Sequence, residues 1–191
     1  MIRWCRILLL PCLLALTSCM AMMDKDFHTV VAPSSTSING ELASLNVVEA
    51  PPEERTGLMV NRLSVSDYII KQWYIGLDDA IIQSGVFTGH RQLTLSVSVR
   101  RMSLPLLGLG ATGTVEADYK ITDQASGATI YDKSIVAEGY VPFGYSPIGV
   151  IRGNEAVDRS VQNNIKAFIT DLETSLAAKP TAVAPAPAPH V

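Results

Sequence analysis

Cysteine is nearly missing from this chain: three occur in 191 residues, at Cys5, Cys12 and Cys19, and none follows. Beyond position 19 that excludes a disulfide framework, a CxxC redox pair and a thiol nucleophile. Histidine is as sparse, and His28, His90 and His190 are scattered, so no metal cluster is expected. Positive charge is not in excess either, with 15 Lys and Arg against 18 Asp and Glu. A net charge of −3 argues against nucleic acid, whose phosphates call for clustered Lys and Arg. It also argues against docking on anionic lipid by charge alone. No G-x-S-x-G elbow appears. The run Gly108-Leu109-Gly110-Ala111-Thr112-Gly113 fits G-x-G-x-x-G. That dinucleotide motif needs a helix after it, and here a strand pattern follows. No cofactor is expected.

What is present begins at the N-terminus. Arg3 and Arg6 precede an apolar run, Ile7 to Leu16, broken only by Pro11 and Cys12. A membrane-spanning helix needs roughly 20 apolar residues, so this run has the length of a signal-peptide core. It ends in Leu16-Thr17-Ser18-Cys19, which resembles the bacterial lipobox. The resemblance implies lipidation of Cys19 and removal of residues 1–18. Loss of Arg3 and Arg6 then takes the net charge from −3 to −5. Several acyl chains on one cysteine make attachment lasting. Residues 19–42 show little periodicity and read as a flexible tether, and 179–191 are an Ala/Pro-rich tail that disfavours helix. Between them, 43–178 is read as one folded domain, a size that supports one ordinary core.

Within that domain, Leu45, Val47 and then Leu58, Val60, Leu63 and Val65 mark one or two early strands around the break at Pro51-Pro52. Ile70, Trp73, Leu77, Ile81 and Ser84 recur at helical spacing after a cap at Ser66 or Asp67, with a stop at Gly85. Leu93, Leu95, Val97 and Val99 alternate with polar residues, which predicts a half-buried strand. Val115 to Ile121 and Tyr131 to Ala137 repeat that pattern around a Ser-Gly turn and read as a hairpin. Asn154 can cap a last helix whose apolar stripe is Val157, Val161, Ile165, Phe168, Ile169, Leu172 and Leu176. The expected fold is α+β: an antiparallel sheet of about four strands, order β-α-β-β-β-α, with both helices on one face.

Two loops are unusually apolar, 104–113 and 140–151. If the last three strands form a meander, both loops fall on the same edge of the sheet. They either pack on each other and close the core, or form a contact surface for an envelope protein or a lipid. Leu106, Leu107, Leu109, Phe143 and Tyr145 are the residues expected to carry such contact. Glu116 and Asp118 share one strand face about 7 Å apart. That spacing suits either a wet sheet face or acid–base work.

The helix running into Gln83-Ser84-Gly85-Val86-Phe87, the strand 92–101, the segment 115–123 and the helix 155–169 together resemble small bacterial envelope lipoproteins. Among these are auxiliary lipoproteins of ABC-type lipid transport systems. The resemblance implies no catalytic residues. It implies a non-enzymatic, membrane-anchored lipoprotein whose periplasmic domain binds another envelope component. A lipid-handling module using the apolar loops is the alternative, and an unrecognised hydrolase or transferase a further one. Met20 after the lipidated cysteine implies the outer membrane in a Gram-negative cell.

Overall fold

The computed structural model describes residues 27–56, 67–103 and 109–178. Its elements are β1 (Ile38–Glu49), α1 (Asp67–Ser84), β2 (Phe87–Ser103), β3 (Ala111–Asp123), β4 (Thr129–Val141) and α2 (Gly149–Ala177). The four strands form one sheet in sequence order. Leu93, Leu95, Val97 and Val99 of β2 and Val115, Ala117, Tyr119 and Ile121 of β3 are buried on one sheet face. Both helices join that core, α1 through Trp73, Leu77 and Ile81 and α2 through the stripe from Val157 to Leu172. The fold is α+β, as expected.

The sheet is not wholly antiparallel. β2, β3 and β4 form the antiparallel meander, whereas β1 runs parallel to β2. The reason is connectivity: the chain leaves β1, returns through α1 and re-enters the sheet in the same direction, as a helical crossover does. Leu58, Val60, Leu63 and Val65 lie outside the described residues, as do residues 1–26 and the tail 179–191.

Two expected boundaries move. Residues 27–42 are not tether: β1 starts at Ile38, and Phe27 and Thr29 are buried. The Phe27 backbone lies against Gly76 of α1 so closely that any side chain there would clash. The last helix also starts at Gly149, not after a cap at Asn154. Ile148 lacks a capping side chain, yet its carbonyl accepts the amides of Ile151 and Arg152. Burial of Arg152 secures this extra turn, so tertiary packing sets the start where local capping does not.

β2 carries a bulge, visible in the break of alternation at Arg100-Arg101-Met102. The register jumps between Val99 and Arg101, leaving two residues opposite Glu116. Met102 thereby returns to the core face.

The β3–β4 turn is fastened by Asp123. Its carboxylate accepts the Ser126 amide at 2.8 Å and hydroxyl at 2.9 Å, and Arg91 Nε and Nη2 at 2.9 and 2.7 Å. These contacts, the Ser126 amide foremost, hold its pKa down to about 2. An unfolded aspartate titrates near 3.9, so the stabilisation is complete above about pH 4. It is lost as pH falls towards 2. Asp123→Asn is expected to flatten that acid limb in a series of melting temperatures against pH; an unchanged limb would refute the assignment.

Candidate functional site

The meander places the two apolar loops where the expected topology puts them. Ser103 at the end of β2 pairs with Thr114, and Ala111 at the start of β3 pairs with Val141 at the end of β4. Both loops therefore leave the same edge. They also touch: a Cβ on Gly110 would lie 2.8 Å from the Tyr140 ring.

Leu106 and Leu107 lie outside the described residues. Leu109 is 79% exposed, and Phe143 and Tyr145 are about half exposed. Three residues of the same edge were not singled out from sequence: Tyr140, Ile148 and Val150, the last 66% exposed. Strand alternation was the available signal for Tyr140, because Val141 points to the core and its neighbour must point away. Ile148 and Val150 become surface residues through the early start of α2.

The edge is held in shape from α2. The Arg152 guanidinium sits 5.0 Å above the Phe143 ring, and its Nη1 donates to the Ser146 carbonyl at 2.6 Å. One turn on, Glu155 accepts the Tyr145 hydroxyl at 2.9 Å and Arg159 Nε at 3.0 Å. Arg159 stacks 5.5 Å from the Tyr145 ring, and its Nη1 donates to the Tyr140 carbonyl. Cation–π and charge-assisted contacts of this kind fix aromatic side chains in place. The edge is thus an ordered apolar surface, rimmed by two arginines and a glutamate.

The position of α2 rests on two glycines. Gly113 and Gly139 pair across β3 and β4, directly under Ala156 of α2. A Cβ at 113 would lie 2.6 Å from the Ala156 carbonyl oxygen. A Cβ at 139 would meet that oxygen and the Ser160 amide nitrogen inside contact distance. Gly113, the last glycine of the G-x-G-x-x-G run, is therefore a seat for a helix.

Glu116 and Asp118 lie on the other face of the sheet, facing away from the helices. Arg100 Nη1 lies 3.9 Å from Glu116 and 3.5 Å from Asp118, and Arg101 Nε lies 3.7 Å from Glu116. Thr56 donates to Glu116 at 2.7 Å. The bulge supplies both arginines, and each carboxylate has a cationic neighbour, an arrangement suited to an ion-pair network on a partly buried sheet face. Among the described residues no group of three or more His, Cys, Asp or Glu could hold a metal ion. Asp78 and Asp79 are partly exposed on α1, and Asp79 lies 3.6 Å from His28 Nδ1. No described helix is long and apolar enough to cross a membrane.

These features define a two-layer α+β domain with an exposed apolar edge and a charged sheet face on the side away from the helices. No protein-family model matches the chain, and no curated protein matches it. Among solved structures, it is similar in fold to a Xanthomonas campestris protein of the DUF330 family, at a TM-score of 0.50 and 13% identity. That likeness covers 78% of this chain and 91% of the other. Weaker likenesses include a hypothetical protein of Chlamydia trachomatis, at a TM-score of 0.44 and 7% identity over 74% and 100% of the two chains. A minor lipoprotein of Acinetobacter baumannii has a TM-score of 0.38 and 12% identity over 73% and 93%.

Proposed function

We propose that this protein is a bacterial envelope lipoprotein, anchored through Cys19, whose periplasmic domain docks a protein partner through the apolar edge without catalysing a reaction. The observation that carries the reading is the edge itself: Leu109, Tyr140, Phe143, Tyr145, Ile148 and Val150 are all exposed, and all belong to the two segments that leave the same end of the meander. Exposed apolar surface gathered on one edge and rimmed by charge is the usual mark of an interaction site. Aromatic anchors beside arginine also match the composition of interface hot spots. The rim fastened by Arg152, Glu155 and Arg159 reduces the ordering that binding would otherwise demand. The arginine-paired state of Glu116 and Asp118 supports a non-enzymatic role. Met20 supports placement in the outer membrane. Anchoring would confine the domain near its partner and raise the effective concentration to the millimolar range, by order of magnitude.

The test is photo-crosslinking in cells from a probe at Ile148. A discrete protein adduct is expected. Leu109→Asp combined with Phe143→Asp should weaken partner capture by at least about 30-fold, as loss of two hot-spot anchors does. Adducts of lipid mass alone would transfer the edge to a lipid-handling role. Protein adducts from a probe at Ser96 on the open sheet face, with none from Ile148, would contradict the reading.

A further inference from the structure

The outer side of α1 carries a second apolar feature. Tyr68, Ile75 and Ile82 recur every seven residues, a spacing that drifts only about 20° per repeat around a helix. They form a stripe about 21 Å long at 1.5 Å per residue. All three are exposed, Ile82 to 71%, while Trp73, Leu77 and Ala80 occupy the opposite, core side. Lys71 and Asp78 border the stripe on one flank. On its other flank runs the segment that begins at Phe27.

That segment follows α1 closely. The Phe27 backbone rests on Gly76, His28 reaches Asp79, and the Ser34 amide donates to the Ser84 carbonyl at 2.7 Å. Farther along, Val30 to Pro33 line a groove with Lys166, Ile169, Thr170 and Glu173 of α2. The folded domain therefore receives its N-terminal connection at Phe27, against Gly76 of α1 on the flank of the stripe.

We propose that this side of α1 rests on the phospholipid bilayer, with Tyr68, Ile75 and Ile82 as the contact. The inference depends on anchoring at Cys19. Eight Cα–Cα steps separate Cys19 from Phe27, a reach of at most about 28 Å. A compact domain of this size is about 40 Å across. A lipid on Cys19 thus holds the α1 side towards the membrane, since the leash is shorter than the body. Once held there, a few apolar side chains suffice, because binding is effectively intramolecular. The stripe then settles at the headgroup boundary as an amphipathic surface helix does. The contact is apolar and the mature chain is acidic, so salt should leave it unchanged.

The experiment couples the mature chain, residues 19–191, through its one thiol at Cys19 to maleimide-phosphatidylethanolamine in phosphatidylcholine vesicles with brominated acyl chains. Chemical coupling supplies the anchor whether or not cells lipidate Cys19, which intact mass of the cellular protein reads separately. Trp73 is the one native tryptophan left after residues 1–18 are removed, and it is buried, giving a constant background. Emission of Ile82→Trp should fall about twofold on brominated vesicles, as for a side chain at acyl depth. Emission of Ser96→Trp on the open sheet face should not change. No quenching of Ile82→Trp, equal quenching of Ser96→Trp, or quenching of Phe143→Trp in place of Ile82→Trp would each overturn the proposal. The last outcome would assign the bilayer to the docking edge.

Discussion

Gly139→Ala is expected to lower stability by about 3 kcal/mol or more, at the upper end of what overpacking costs. The added methyl group meets the Ala156 carbonyl and the Ser160 amide, and it lies 2.7 Å from Arg159 Cβ. Two of these neighbours are backbone atoms, so no rotamer change relieves the clash. α2 must lift from the sheet, carrying Arg152, Glu155 and Arg159 with it. The apolar edge should therefore loosen together with the core. Gly113→Ala meets the same Ala156 carbonyl, so the two substitutions should be less than additive. Gly144→Ala is the control: nothing lies within 4 Å of its Cβ position, and an effect within about 0.5 kcal/mol is expected. Urea denaturation followed by Trp73 fluorescence measures all three. Equal midpoints for Gly139→Ala and wild type would refute the close-approach account.

Phe168→Ala should cost about 3–5 kcal/mol, the range for deleting a buried aromatic ring. Phe168 is fully buried on α2, between two tyrosines of the sheet. Its ring stacks on Tyr119 at 4.2 Å and meets the edge of Tyr131 at 5.6 Å. Both tyrosines are fixed by hydrogen bonds back to α2, Tyr119 to Asn164 Oδ1 and Tyr131 to Asp171 Oδ2, each at 2.7 Å. Burial pushes both hydroxyls well above the ordinary tyrosine range, so they remain protonated donors. Asp171 is itself held below the ordinary range: burial opposes this, but Lys133 and Tyr131 more than offset it. With its partners pinned, the site cannot collapse around the missing ring, which places the cost in the upper half of that range. Phe168→Leu should recover more than half of the loss in the same assay. A loss below about 1.5 kcal/mol for Phe168→Ala would contradict this packing.

Local pattern carried much of the fold into view. The strict alternation from Leu93 to Val99 and the helical spacing from Ile70 to Ser84 both report one-sided burial, which a single segment encodes by itself. Gly85 closes α1 with a φ of 60°, a conformation glycine adopts freely. Features that depend on distant partners were not legible. The parallel pairing of β1 follows from where α1 returns the chain. Burial of Phe27 depends on Gly76, nearly fifty positions away, and the meeting of Gly113 with Gly139 on one turn of α2 depends on register. The start of α2 misled because Asn154 is a better local cap than Ile148, while Arg152 and its contacts decide the matter.

At the candidate site, residue chemistry was legible and assembly only partly so. Apolar loops stand out in sequence, and the meander puts them on one edge. The arginines that order the edge could not be recognised, because Arg152 and Arg159 look like ordinary solvated positions on a helix. Glu116 and Asp118 could be placed on one face, but their pairing with Arg100 and Arg101 required the bulge.

The most direct test of the central claim is membrane fractionation with intact-mass analysis of wild type and Cys19→Ala. The lipoprotein account predicts wild-type protein in the membrane fraction, lacking residues 1–18 and carrying the added mass of acyl chains. It predicts that Cys19→Ala loses that mass and its membrane attachment. Wild-type protein found soluble and with no added mass would contradict the account, and tethering at the envelope would go with it.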